Sequence, residues 1–297
     1  MTIQQIYNES KNNFLFNDSK NFSNLRDEII NNFDLSPKIK KNNESLKHLD
    51  PHVLEFKYKY NNVANVISYS EYEQDEVVIN VIDGKISNIN ANNIKDINKK
   101  IENIKNNNNF IESKFLDYQK FFNNDYVFNL NSLMLNSGYE INIGENQKIN
   151  LYIKNSVNEK DLTIFQKNFI NCAKDSDITI IEECFGDKES NTNIVNCINM
   201  ESKSSVTHLI FQKNSLKTNL QSTSFTNCKG GSKYKQLVVN ISKGSIRNHH
   251  YANLVGEGAS ANINGIFLGS KDQIIDNKTQ INHNSPNCES SQRYKGV

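Results

Sequence analysis

The chain has 297 residues, and its 34 Lys and Arg nearly balance its 33 Asp and Glu, which leaves a formal net charge of +1. This length predicts one large domain or two smaller ones. The near-zero charge argues against nucleic acid or an anionic membrane surface as a partner, because no long-range field attracts either of them.

The N-terminal region predicts a mixture of helices and strands. Four apolar residues recur at helical spacing, with Ser23 as a candidate N-cap. They are Leu25, Ile29, Ile30 and Phe33. Further helices are predicted over residues 111–122 and 130–135. A β-branched run over residues 77–82 leads into Asp83-Gly84, a turn signal, and predicts a strand that continues beyond the turn.

From Gly138 onward the apolar clusters are short, β-branched and alternating, and no window supports a helix of three turns. The alternating sets are Ile149, Leu151 and Ile153; Val206, His208 and Ile210; Leu237, Val239 and Ile241; and Ala259, Ala261 and Ile263. Short strands of this kind fit a sandwich, a barrel or a β-solenoid. No exact repeat is visible. The scarcity of hairpin dipeptides favours the solenoid, in which inward Asn, Ser and Cys side chains could stack in ladders.

A glycine pattern near the C-terminus invites a nucleotide-binding interpretation. Gly256, Gly258 and Ala261 fit the spacing of the dinucleotide fingerprint. That motif requires a helix directly after it, whose N-terminus faces the pyrophosphate. Residues 262–267 predict a strand instead, so the glycines are predicted to form a turn.

Two sets of chemically active residues deserve a structural interpretation. His249 and His250 are adjacent, and neighbours in a strand point to opposite faces, so we do not expect them to chelate one metal. Glu182 and Cys184 would share a face if their strand extended that far. Because Gly186 and its neighbours favour a turn, we predict that the strand ends before it brings them together.

The five cysteines are odd in number, form no CxxC pair and follow no export signal, so disulfides are not expected. They are Cys172, Cys184, Cys197, Cys228 and Cys288. No stretch is long and apolar enough to span a membrane. These features predict a cytoplasmic protein. No GxSxG, HExxH or kinase signature occurs, and an enzyme is not expected.

The last fifty residues contain several distinctive segments: Arg247 to Ala259, Gly265 to Leu268, Asp272-Gln273, Asp276, and His283 to Val297. In this order they resemble the conserved core of the SufB/SufD family of iron–sulfur cluster assembly proteins. The most specific part is H-N-x-x-x-C-x-S-x-Q followed by Lys295, and it resembles SufD more than SufB. Weaker similarities lie in order upstream: residues 42–47, 78–87 and 128–131.

The resemblance implies a mainly β fold, with a right-handed parallel β-helix over residues 136–297 after a mixed helical and α+β region over residues 1–135. It implies a non-catalytic scaffold subunit that works in a cytoplasmic complex with SufB and the SufC ATPase. Family members continue past the position of Val297 with further coils, an interface cysteine and histidine, and a helical domain that docks SufC. We therefore expect this sequence to lack the C-terminal part of the family.

Cys288 and His283 are weak candidates for metal ligands. A Cys/His pair suits iron or zinc, but two ligands do not make a site. We expect no stably bound cofactor, and only transient contact with iron or a cluster at the partner interface. The competing interpretations are a β-solenoid polysaccharide lyase or hydrolase, which requires carboxylates grouped in a groove, and a purely structural solenoid.

Overall fold

The computed structural model describes residues 7–8, 11, 14–16, 19–32, 68–71, 76–91, 101–104, 118, 125–215, 218–271 and 273–297. Several sequence-based interpretations lie outside these residues: Phe33, the 42–47 motif, Asp272, and residues 111–122 except Tyr118.

The described part of the chain is mainly β, as predicted. Its two longest helices are α1 (Lys20–Asn32) and α2 (Tyr126–Leu133). Its strands are β1 (Ser68–Glu71), β2 (Glu76–Ile82), β3 (Lys85–Ala91), β4 (Ile101–Asn103), β5 (Tyr139–Ile143), β6 (Lys148–Val157), β7 (Leu162–Cys172), β8 (Asp177–Gly186), β9 (Ser190–Met200), β10 (Ser205–Asn214), β11 (Thr218–Cys228), β12 (Lys233–Asn240), β13 (Ile246–Leu254), β14 (Ser260–Phe267), β15 (Ile275–His283) and β16 (Glu289–Gly296).

From β5 onward, consecutive strands belong to two different sheets. The nine-stranded sheet has the order β1-β3-β2-β6-β8-β10-β12-β14-β16, and the seven-stranded sheet has the order β15-β13-β11-β9-β7-β5-β4. Neighbouring strands between β5 and β16 are parallel. Each coil therefore contributes one strand to each sheet, and the predicted parallel β-solenoid is confirmed.

The coils turn at one recurring position, two residues before each strand of the nine-stranded sheet from β6 to β16. The residues at this position have positive φ angles: Asn146, Asp175, Lys203, Gly231, Gly258 and Asn287. Gly, Asn and Asp adopt this left-handed conformation at low cost. In three coils the next residue is a buried serine whose hydroxyl donates to the carbonyl three residues earlier. The backbone conformation at this turn therefore recurs from coil to coil, whereas the residue type varies.

The inner core lies between the two sheets and holds aliphatic rows such as Ile149, Ile178 and Val206. A second core lies outside the seven-stranded sheet, where α1 and α2 cover Phe165, Phe169 and other outward residues. Burial of each such side chain stabilises the fold by about 1.5–3 kcal/mol.

The outer core also contains a buried lysine. Lys167 is fully buried, and its Nζ donates to Ser132 Oγ at 2.8 Å and lies 4.0 Å from the centre of the Phe128 ring. Burial lowers the pKa of Lys167 to about 7, because the charged form loses hydration, and Cys197 opposes this effect only in part.

The N-terminal region joins the solenoid through the predicted hairpin. β2 and β3 are antiparallel, Asp83 and Gly84 have positive φ between them, and β2 pairs in parallel with β6. The predicted helix α1 is present, but its cap is Ser19, whose Oγ accepts from the Phe22 amide, and not Ser23. Ser23 lies inside the helix. The division after residue 135 stays a prediction.

Six asparagines form a hydrogen-bonded ladder along the seven-stranded sheet. They are Asn142, Asn171, Asn199, Asn227, Asn253 and Asn282. Their amide contacts are 2.7 to 3.5 Å long. The expectation of inward ladders is wrong for this set, because the ladder lies on the outer face, where the Tyr118 hydroxyl donates to Asn199. An interior rung does form where Asn168 donates to Asn196 at 2.8 Å.

The orientation of β12 also departs from expectation. The alternation of Leu237, Val239 and Ile241 correctly predicts a strand. These aliphatic side chains point outward, however, and Gln236 and Asn240 point into the solenoid. In the interior, Gln236 donates to Ser224 Oγ at 3.1 Å, and Asn240 accepts from the Ser242 amide at 2.9 Å.

Candidate functional site

A network of polar side chains lies inside the solenoid around Glu182 of β8. One carboxylate oxygen, Oε1, accepts from Asn155 Nδ2 at 3.0 Å. The other, Oε2, accepts from Asn196 Nδ2 at 2.9 Å and lies 3.1 Å from His208 Nε2. His208 Nδ1 is 3.2 Å from the Tyr234 hydroxyl. All of these residues are buried, and three strands, β6, β9 and β10, supply partners to the one carboxylate of β8.

The prediction that the strand ends before Glu182 and Cys184 is wrong. β8 continues to Gly186, since its backbone stays paired with β6 and β10 along its whole length. Glu182 and Cys184 therefore both point inward, and Asn155 Nδ2 lies 3.9 Å from Cys184 Sγ. The turn propensity of glycine is overridden here by two parallel neighbours that supply every ladder hydrogen bond.

The geometry allows a chain of proton donors and acceptors. With the Nε2–H tautomer, His208 donates to the Glu182 carboxylate and accepts from the Tyr234 hydroxyl at Nδ1. Burial raises the pKa of Tyr234 above its usual range. The arrangement joins a carboxylate, an imidazole and a phenol by hydrogen bonds inside the solenoid.

A second histidine continues the interior network. His250 Nδ1 lies 2.8 Å from Ser224 Oγ, which accepts from Gln236 at 3.1 Å. Burial, with smaller contributions from nearby His208 and His249, lowers the pKa of His250 to about 3, so its imidazole is neutral at physiological pH.

Four of the five cysteines are buried thiols. Burial raises the pKa of Cys197 and of Cys228 to about 12, and it raises the pKa of Cys172 and Cys184 well above the usual value. A thiol ligates metal or attacks as its thiolate, and these groups stay protonated at neutral pH. All five cysteines are free, as predicted.

A charged cluster lies on the opposite face of β13, next to α2. Arg247 Nη2 is 3.4 Å from Asp125 Oδ2, and Arg247 Nε is 3.7 Å from Asp276 Oδ2. His249 lies between the same two carboxylates, 3.7 Å and 3.2 Å away. The Tyr251 hydroxyl donates to Asp125 at 3.0 Å. His249 and His250 thus face opposite sides of the sheet, as predicted.

Asp125 connects this cluster to α2. It is the N-cap of the helix, and its Oδ1 accepts from the Phe128 amide at 3.0 Å. Burial acts to raise the pKa of Asp125, but Arg247, His249 and the helix N–H outweigh it and hold the pKa far below its usual range. Both carboxylates lie against Arg247, which fits fastening of α2 better than acid–base catalysis.

The structure places the two metal candidates in the last coil. Cys288 is half-buried and occupies the position of the turn serines, with its Sγ 3.4 Å from the Gly256 carbonyl oxygen. His283 ends β15 and its Nε2 lies 2.9 Å from Ser290 Oγ. Across the described ranges, no group of three or more His, Cys, Asp or Glu is arranged to hold a metal ion. Metal ligation by Cys288 and His283 stays a prediction.

The glycine pattern forms the predicted turn. Gly258 has a φ of 69°, and β14 follows it directly, so the helix that the dinucleotide fingerprint needs is replaced by a strand. In the part of the chain that the structure describes, no helix has the length and hydropathy of a membrane span.

Comparison with known proteins identifies the solenoid. Residues 152–297 match the family model of the SufBD core domain of the SUF system for FeS cluster assembly. The matched residues begin within β6 and include every later strand of both sheets. A comparison with curated proteins found no match.

Proposed function

Because the chain belongs to the SufB/SufD family through this core domain, we propose that it is a SufD-like scaffold subunit of an iron–sulfur cluster assembly complex. In this proposal its partners are a SufB-like chain and a SufC-like ATPase, and the chain itself catalyses no reaction. The observation that carries the proposal is the match of residues 152–297 to the SufBD core domain. The resemblance of residues 283–295 to SufD supports the finer assignment.

The chemistry of the described residues is consistent with a scaffold. The interior carboxylate of Glu182 is enclosed by donors, and Asp125 and Asp276 are paired with cations. Four thiols are protonated at neutral pH. We therefore propose that iron or a cluster, as cargo of the system, contacts this chain only transiently and with ligands from a partner. A cytoplasmic location belongs to the same proposal.

Co-expression with the SufB-like and SufC-like proteins of the same genome tests the assignment. With an affinity tag on the SufB-like chain, we expect this chain to elute with both partners in one complex of fixed stoichiometry by size-exclusion chromatography with light scattering. Absence of this chain from a complex that still contains the other two would contradict the proposal.

Cluster loading separates a scaffold from a ligand donor. We expect Cys288→Ser to leave the cluster absorbance of the reconstituted complex unchanged, because partner residues supply the ligands. Cys172→Ser is the matched control, since that thiol is buried and protonated. A loss of cluster in Cys288→Ser alone would make Cys288 a ligand and refute this part of the proposal.

A further inference from the structure

The outward face of the nine-stranded sheet carries an apolar patch, here called the aliphatic face. Two of its rows cross adjacent strands in register. One row is Ile181, Leu209 and Leu237, and the other is Phe211, Val239 and Ile266. Ile266 is 47% exposed. β8, β10, β12 and β14 present these residues, while their inward neighbours fill the interior.

The patch is continuous but small. Six apolar positions, on strands about 4.8 Å apart and in rows about 6.6 Å apart, cover roughly 190 Å² of the sheet. An outward sheet face is usually polar, so two adjacent aliphatic rows on it call for an explanation. In β12, Leu237 and Val239 lie outside, while Gln236, Val238 and Asn240 point inward.

Basic residues flank most of the patch, while Glu183 continues the second row beside Phe211 and pairs with Lys213 at 3.7 Å. Lys235 precedes Leu237 by two positions on β12, and Lys213 follows Phe211 by two positions on β10, so both lysines share its face. Lys295 continues the second row, directly beside Ile266. Among the outward positions of β6, β8, β10, β12, β14 and β16, seven are Lys or Arg and three are Asp or Glu.

We propose that the aliphatic face docks a protein partner with an apolar ridge flanked by carboxylates, such as an acidic amphipathic helix. Apolar contact supplies affinity at the centre, and opposite charges at the rim direct the partner. A second copy of this chain is disfavoured, because pairing of two such faces would bring lysines together.

Two designed peptides test the proposal with defined probes. Both are helical with the same leucine ridge, one flanked by glutamates and the other by lysines. Fluorescence anisotropy should show that the acidic peptide binds and the basic peptide does not. Added salt should weaken the binding of the acidic peptide. Leu209→Thr with Leu237→Thr should weaken binding at least about tenfold, and Lys213→Glu with Lys235→Glu should do the same.

The control variant carries Lys160→Glu with Lys174→Glu. These exposed lysines precede the strands at turns, away from the aliphatic face, and they produce the same change in net charge. We expect this control to bind the acidic peptide as the wild type does. Threonine is a good strand former, so circular dichroism should show that the threonine variants remain folded.

Three results would overturn the proposal. The first is failure of the acidic peptide to bind, or equal binding of both peptides. The second is binding to vesicles of phosphatidylcholine and phosphatidylglycerol without binding to the acidic peptide, which would make the face a membrane surface. The third is a dimer in light scattering that dissociates in the Leu237→Thr variant, which would assign the face to a second copy.

Discussion

Replacement of Glu182 by leucine tests the interior network most directly. Three buried donors would lose their acceptor: Asn155 Nδ2, Asn196 Nδ2 and His208 Nε2. Each buried donor without a partner costs about 1–2 kcal/mol, so Glu182→Leu should lower the free energy of unfolding by roughly 3–6 kcal/mol. Glu182→Gln keeps one carbonyl acceptor and should cost about 1–3 kcal/mol.

Urea unfolding followed by circular dichroism measures these costs. Glu183→Leu is the matched control, because Glu183 is the next residue in β8, points outward and forms only an exposed ion pair. The control should change stability by no more than about 0.5 kcal/mol. The double variant Glu182→Leu with His208→Leu should lose less unfolding free energy than the sum of the two single variants. Each single variant leaves the other residue's polar group unpaired, and the double variant removes both groups. A cost for Glu182→Leu no larger than the control's would refute the reasoning.

Three further predictions concern charge and backbone. The pKa of Asp125 is lower in the folded than in the unfolded protein, so its carboxylate stabilises the fold fully above about pH 4 and loses this effect as the pH falls further. Asp125→Asn should therefore reduce the loss of stability in acid. Urea midpoints in an acid series measure this, and parallel curves for the two proteins would contradict it. The pKa of Lys167 is about 7 in the folded protein and lies below its unfolded value, so the wild type gains stability as the pH rises from neutral to about 10. Lys167→Met should flatten the dependence of stability on pH over this range. An unchanged slope in the same assay would rule this out. Gly256→Ala should lower the melting temperature far more than Gly258→Ala. The Cβ of an alanine at 256 would lie 2.0 Å from Gly230 N, whereas a Cβ at 258 would meet no atom within 4 Å. Equal shifts in melting temperature would contradict this prediction. The second substitution costs only about 1 kcal/mol of backbone strain.

The amino-acid pattern predicts the strands well because alternation is a local property. The β2–β3 hairpin follows from a β-branched run and Asp83-Gly84, and β6 and β14 follow from apolar residues at every second position. Alternation gives the period of a strand but not the face that is buried. In β12, Leu237 and Val239 lie outside, whereas Gln236 and Asn240 point inward beside Val238.

The repeat could not be recognised from residue identity because the fold conserves a conformation. Asn146, Lys203 and Gly231 are chemically unrelated, yet each adopts a positive φ at the same point of its coil. Only the small residue that follows, such as Ser204 or Ser232, has a recurring chemistry. Similarity to known proteins therefore indicated the solenoid more strongly than internal periodicity did.

The interior network was missed for a related reason, although the chain does contain a signal for it. His208 lies 26 residues after Glu182, and Tyr234 lies 26 residues after His208. In a solenoid whose rungs are separated by 26 to 29 residues, polar side chains at that spacing must meet in adjacent coils. A search for buried polar residues at the coil spacing, applied once the solenoid is suspected, would have grouped these three residues. The local turn propensity around Gly186 argued against this grouping, and the parallel pairing of β8 with β6 and β10 outweighs it.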